Sequence, residues 1–194
     1  MKVAVIKYNA GNIRSVLFAL DRAGIEGILT DDPEEIISSD KVIFPGQGEA
    51  KTTMAYLRDR KLDHLIKNLK QPVLGICVGL QLLCKHSEES NTDCIGIFDH
   101  NVLKFDSSKE KVPQIGWNLT SLNGDPLFKG LNKEEYFYFV HSYYAELGKD
   151  SLCETDYSVP FCSGLHKDNF WAVQFHPEKS SKAGQQIIQN FLDF

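Results

Sequence analysis

The nine residues Val73-Leu74-Gly75-Ile76-Cys77-Val78-Gly79-Leu80-Gln81 constrain the fold of this chain more than any other stretch. Val73, Leu74 and Ile76 form a short apolar run suited to a parallel strand covered on both faces, and Pro72 marks its entry. Gly75 and Gly79 stand two residues before and two residues after Cys77. That Gly-x-Cys-x-Gly spacing is the thiol form of the nucleophile elbow, in which small neighbours let a tight strand-to-helix turn lift the nucleophile above the sheet edge. Beyond the corner, Leu80, Leu83 and Cys84 fall at helical spacing toward a core. Gln81 lies one turn past Cys77 on the same side of that helix.

The placement has a chemical reason. A thiol just ahead of a helix sits at the positive end of the helix dipole, which favours its nucleophilic anion. Backbone N–H groups there, beginning with that of Val78, are free to hold a developing oxyanion. Taken alone, Cys77 would also read as a packing cysteine, because free cysteines are often buried. The paired glycines and Gln81 favour the reactive reading.

At 194 residues the chain is long enough for one domain, 1–194, with a substantial core and no need of disulfides or metal. A net charge of −5 argues against a nucleic-acid or anionic-membrane surface. Met1-Lys2-Val3 leads straight into a strand rather than a signal peptide and no apolar run reaches spanning length, so a cytoplasmic protein is expected. Cys77, Cys84, Cys94, Cys153 and Cys162 are odd in number and form no Cys-x-x-Cys pair, as expected of reduced thiols without a metal site.

Strands and helices alternate through the first half. Lys2 to Ile6 reads as a strand, and Asn9-Ala10-Gly11-Asn12 as the turn into a helix bearing Ile13, Val16, Leu17, Leu20 and Ala23. Asn12 suits its N-cap and Gly24 its C′ position. The opening has no Gly-x-Gly-x-x-Gly, so a dinucleotide site is disfavoured and no cofactor is expected. Ile25 to Thr30 is a second strand, Asp31-Asp32-Pro33 starts a short helix, and Lys41 to Phe44 is a third strand. Two helical stretches follow, the second marked by Leu62, Leu65, Ile66 and Leu69. This alternation predicts an α/β fold whose open sheet is mainly parallel and flanked by helices. Pro45-Gly46-Gln47-Gly48 would leave that sheet at its carboxyl edge, where ligands of such folds gather. Its glycines let a peptide plane turn an N–H toward Cys77, although Pro-Gly-x-Gly by itself also describes a plain tight turn.

From Cys94 the pattern changes to shorter β segments: 95–98, 102–105, 115–119, 136–144 and 161–174. They predict an antiparallel extension on the parallel core. A last strand from Phe170 to Phe175 runs into His176-Pro177-Glu178. Pro177 holds His176 out of helical geometry, so the run is expected to be extended, with His176 and Glu178 side by side. A carboxylate so placed orients the imidazole, which can then take the thiol proton and return it to a leaving amine. An amphipathic helix bearing Ala183, Ile187, Ile188, Phe191 and Leu192 closes the chain.

Gly75-Ile76-Cys77-Val78-Gly79-Leu80-Gln81 with His176-Pro177-Glu178 resembles the nucleophile and His/Glu motifs of class I, triad-type glutamine amidotransferases, whose sheet is flavodoxin-like. Asn9 to Val16, Pro45 to Gly48, Val112-Pro113-Gln114-Ile115-Gly116-Trp117-Asn118 and His141-Ser142-Tyr143 resemble one branch. That branch is the glutaminase (HisH-type) subunits of imidazole glycerol phosphate synthase. The resemblance implies that Cys77 attacks the side-chain amide of L-glutamine, His176 shuttles protons and Glu178 orients it. It implies that Val78 and Gly46-Gln47-Gly48 cradle the oxyanion and that Gln81, Gly48, His141, Ser142 and Tyr143 hold the substrate. It further implies a heterodimer with a (β/α)8-barrel (HisF-type) cyclase subunit that receives the ammonia, with Trp117, Asn118, Tyr138 and Lys179 at or near the interface. Two positions depart from the family pattern. Lys7 stands where an acidic residue is common, and Gln47 replaces an apolar residue in the oxyanion loop. A glutaminase serving another acceptor, such as a nucleotide-sugar amidotransferase, or a cysteine hydrolase on the same elbow, are the alternatives that the residues leave open.

Overall fold

A computed structural model describes residues 1–8, 13–46 and 48–194. The chain opens with β1 (Val3–Ile6), α1 (Arg14–Arg22), β2 (Gly27–Thr30), α2 (Pro33–Ile37) and β3 (Lys41–Phe44). There follow α3 (Ala50–Asp59), α4 (Leu62–Lys67), β4 (Val73–Ile76) and α5 (Val78–Leu83). Local chemistry sets the boundaries. Asp32 caps α2 by accepting from the N–H groups of Glu34 and Glu35, with Pro33 at the first helical position. At the end of α1, Gly24 (φ +76°) lets its own N–H reach the Asp21 carbonyl and that of Ile25 reach the Leu20 carbonyl. That Schellman closure occupies Ile25, so β2 begins at Gly27 rather than at Ile25 as the apolar pattern predicts.

The second half contributes β5 (His86–Ser87), β6 (Thr92–Asp93), β7 (Asn101–Lys104), β8 (Gln114–Leu122), β9 (Glu134–His141) and β10 (Tyr143–Ala145). It ends with β11 (Ser151–Tyr157), β12 (Val159–Lys167), β13 (Phe170–Val173) and α6 (Ser181–Leu192). The order β2-β1-β3-β4-β13 is parallel throughout, which is the flavodoxin-like arrangement. Every residue of β1, β3 and β4 is buried, as covering on both faces requires. Helix α1 packs against α6, and α3 against α4 and α5. From β13 outward every pairing but β5 with β7 is antiparallel: β12 joins β13, then the sheet divides toward β10-β7-β5-β6 and toward β11-β8-β9.

Three expectations change on this side. Residues 95–98 are not a strand, because their N–H groups close the end of α5 by bonding the carbonyls of Leu82, Leu83 and Cys84. Residues 161–174 are two strands of a hairpin that turns at Asp168 (φ +55°). Residues 136–144 split at Ser142, whose carbonyl takes the Phe105 N–H between β9 and β10. The proposed N-cap Asn12 and its turn Asn9 to Asn12 lie outside the described residues. Among those described, no helix is long and apolar enough to cross a membrane.

Candidate functional site

The carboxyl ends of β3, β4 and β13 lie side by side, and the three chains leaving them build the site. At the end of β4, Cys77 adopts φ +51° and ψ −109°, a conformation that side chains rarely take, and its N–H bonds the Val173 carbonyl of β13 at 2.8 Å. Only bare glycines allow the main chain around this corner. A Cβ on Gly79 would come within 2.2 Å of the Phe44 carbonyl oxygen, and one on Gly46 within 1.9 Å of that of Ile76 and 2.6 Å of the Val78 nitrogen. The loop after β3 therefore lies against the Val78 amide, which as the first residue of α5 has no acceptor within the helix. Tyr8 braces this loop by donating its hydroxyl to the Pro45 carbonyl. Gln47 lies outside the described residues; its neighbour Gly48 has φ +128° and lines the space beside Cys77.

His176 reaches Cys77 from β13. Phe175, fully buried, stacks on Phe137 of β9 with ring centres 4.0 Å apart. The His176 N–H then bonds the Tyr138 carbonyl at 2.9 Å. The Ser180 hydroxyl completes the pin, donating to the His176 carbonyl at 2.7 Å and accepting from the Tyr138 N–H at 2.9 Å. The run after His176 is not extended: Pro177–Lys179 forms a 3-10 turn, whose first position suits proline's fixed φ. The turn still brings the predicted partners together, with His176 Nδ1 2.8 Å from Glu178 Oε1 and both side chains 4% exposed. Burial works against the imidazolium. The charge and hydrogen bond of Cys77 together with the Glu178 carboxylate outweigh it, and the His176 pKa rises to about 10.

Two cavities meet at the sulfur. One of about 270 Å³ is lined by Gly48, Cys77, Val78, Gln81, Glu89, Pro113, Val140, His141, Ser142 and Tyr143. The other, about 330 Å³, is bounded by Gly46, Gly48, Cys77, Val78, Val140, His176 and Lys179. A larger hollow of about 670 Å³ beside the β8–β9 connection, edged by Asp125 and Lys133, touches none of these groups. Sequence reasoning missed Glu89, whose carboxylate lies on the first cavity wall. One of its oxygens accepts the Ala50 N–H at the start of α3, and burial raises its pKa.

His141 belongs to the wall and not to the open space. Burial drives its pKa down to about 4, so the ring is neutral at physiological pH. Its Nδ1 donates to the Tyr143 carbonyl at 2.7 Å, and Nε2 lies 2.8 Å from the Gln114 side-chain oxygen. Gln81 is 3% exposed and also bonds the Tyr143 carbonyl, at 2.9 Å. Among the described residues no group of three or more His, Cys, Asp and Glu side chains is placed to hold a metal ion.

Beside the His176 turn, β8 and β9 present a broad apolar face. Ile115, Trp117, Leu119 and Tyr136 are exposed there, and Trp117 meets Tyr138 across the strands with ring centres 6.1 Å apart. Lys179 is exposed next to the site. Strand alternation turns Asn118 to the opposite face, where its amide bonds the Asp156 carbonyl. Lys7 pairs with Asp31 at 3.6 Å, at the carboxyl ends of β1 and β2.

A model of the class-I glutamine amidotransferase family matches residues 9–194. The chain is 58% identical, over 100% of both proteins, to a protein of Bacteroides fragilis named imidazole glycerol phosphate synthase subunit HisH. It is 41% identical to a protein of the same name from Vibrio parahaemolyticus, over 99% of this chain and 98% of that one. A solved glutamine amidotransferase superposes with a TM-score of 0.78 at 18% identity, covering 100% of this chain and 98% of the other, a likeness of fold.

Proposed function

The chain belongs to the class-I glutamine amidotransferase family, and from that premise we propose that it is the glutaminase subunit of imidazole glycerol phosphate synthase, working in the cytoplasm beside a (β/α)8-barrel cyclase subunit. The observation that carries the chemistry is the junction of Cys77, on its strained elbow, with the 2.8 Å His176–Glu178 pair. His176, its pKa raised to about 10 beside Cys77, already carries the proton at neutral pH, and Cys77 Sγ attacks the side-chain carbonyl carbon of L-glutamine. The carbonyl oxygen becomes an oxyanion facing the Val78 N–H and the loop after β3. His176 returns the proton to the nitrogen, the C–N bond breaks, and ammonia departs from a glutamyl thioester. Water, deprotonated by His176, then splits the thioester to glutamate and restores the thiol.

Substrate recognition follows from the first cavity. Glu89 meets the α-ammonium of glutamine, while Gln81, Gly48 and the His141-Ser142-Tyr143 wall bound the rest. The second cavity runs from Cys77 to Lys179, on the side of the exposed Trp117–Tyr138 face. Ammonia leaves by that side into the partner, in a heterodimer whose interface covers the apolar face and buries its aromatic anchors.

The test is glutamate release by the purified chain mixed with its candidate cyclase, with and without the cyclase's nucleotide ligand. Stimulation by the ligand is expected. Turnover indifferent to the cyclase would retain the triad and overturn the partner, and no glutamate under any condition would overturn the glutaminase.

A further inference from the structure

Gln174 precedes the His176 turn, is fully buried, and has no part in the chemistry described so far. Resting on the glutaminase reading above, we infer that Gln174 is a positioning residue for the nucleophile, because its amide N–H is aimed at Cys77 Sγ by a chain of hydrogen bonds that begins at the Tyr143 carbonyl. The direction of that chain is forced. A main-chain carbonyl can only accept, so the end of Gln81 that lies 2.9 Å from the Tyr143 oxygen is its NH2. The same nitrogen lies 3.0 Å from the Gln174 amide, which must answer with its oxygen. That leaves the NH2 of Gln174 as the end 3.6 Å from Cys77 Sγ. Reversing Gln81 would set its oxygen against the Tyr143 carbonyl, and reversing Gln174 would set two NH2 groups against each other. The Gln174 main chain is fixed as well, its N–H bonding the Ser163 carbonyl at 2.9 Å.

The sulfur therefore faces two groups of opposite kind. The Val140 carbonyl, 3.8 Å away, accepts from the neutral S–H. Once the proton has gone to His176, that carbonyl offers the sulfur nothing, whereas the Gln174 N–H donates to the anion and holds its direction. The chain also fixes what Gln81 shows the substrate. Both hydrogens of its NH2 are engaged, so only its oxygen is available, and Gln81 accepts from a substrate N–H rather than donating to an oxygen.

Gln174→Met keeps the length of the side chain and removes the donor. In the full chain, the expected result is an alkylation rate of Cys77 by iodoacetamide at neutral pH that falls about tenfold, the scale of one hydrogen bond to a charged group. The alkylation profile should move toward higher pH. In the complex with the cyclase, kcat should fall by a similar factor while KM for glutamine stays within about twofold. An unchanged alkylation profile would overturn the inference and leave the glutaminase standing. Absence of glutaminase activity in the parent would sink that reading, and the alkylation comparison would still judge Gln174. Should Gln174→Met not fold, the side-chain amide protons of Gln174 in the parent serve instead. They should shift in NMR spectra on Cys77→Ala, and identical spectra would overturn the inference.

Discussion

In the parallel half, from β1 to β4, the main chain itself does the placing: Cys77 stands where it does because Gly46 and Gly79 let the backbones leaving β3 and β4 approach closer than any Cβ allows. In the antiparallel half, side chains do the placing, with Gln81 reaching in from α5. The ring of Phe137, the hydroxyl of Ser180 and the amides of Gln81, Gln114 and Gln174 hold His176, the cavity wall and the sulfur in register. Backbone positioning tolerates no change of residue, while side-chain positioning loses a definite contact at a definite cost. The nucleophile and its base thus come from regions that should fail in different ways.

The largest effect on activity is expected at the elbow. Gly79→Ala drives a Cβ to 2.2 Å from the Phe44 carbonyl oxygen, and no side-chain rotation relieves a clash between main chains. Glutaminase activity should be lost, with destabilisation of at least about 2 kcal/mol in urea unfolding. Near-parental activity would show that the corner is looser than described. Phe175→Ala probes the other half. Removing a fully buried ring stacked on Phe137 should cost about 3–5 kcal/mol. Activity measured well below the unfolding midpoint should fall further than stability alone explains, because the His176 turn loses its support. A variant destabilised but with undiminished kcat would mean that the β9 contacts do not position His176.

The smallest of the three effects is a pH dependence. His141 folds with a pKa of about 4, below its ordinary value, because burial disfavours the charged ring. The native state thus binds fewer protons than the unfolded chain. The contribution is complete above pH 6.5 and is lost as pH falls from about 6.5 to 4, up to about 3 kcal/mol. His176 has the opposite sign: with a folded pKa of about 10, its contribution is complete below pH 6.5 and is lost as pH rises from about 6.5 to 10. Unfolding of parent and His141→Gln at pH 7 and pH 5 checks the first. The parent should weaken more on acidification, and equal losses would show that the ring is not held neutral.

The same contrast explains what the sequence made legible. The mainly parallel α/β alternation, the elbow and the His176–Glu178 pair follow from short-range rules, since apolar runs, flanking glycines and a proline each act within a few residues. The extended form expected for 176–178 failed because Pro177 is equally suited to the first position of a 3-10 turn. Residues 95–98 have the composition of a strand, yet α5 claims their N–H groups. Gln174 and Glu89 left no sequence signal at all. One earns its place through partners 93 and 97 positions away in the chain, and the other through a carboxylate that caps α3 from 39 positions away. Ser180 is similar, because its role exists only once β9 lies over the turn.

The central claim is a covalent intermediate on Cys77, and the most direct measurement is a rapid acid quench of the cyclase complex during turnover of isotopically labelled glutamine, followed by peptide mass spectrometry. The account predicts a glutamyl adduct on the peptide containing Cys77, absent in Cys77→Ala, with Cys84, Cys94, Cys153 and Cys162 unmodified. Turnover by Cys77→Ala at the parental rate, or an adduct carried by another residue, would contradict it.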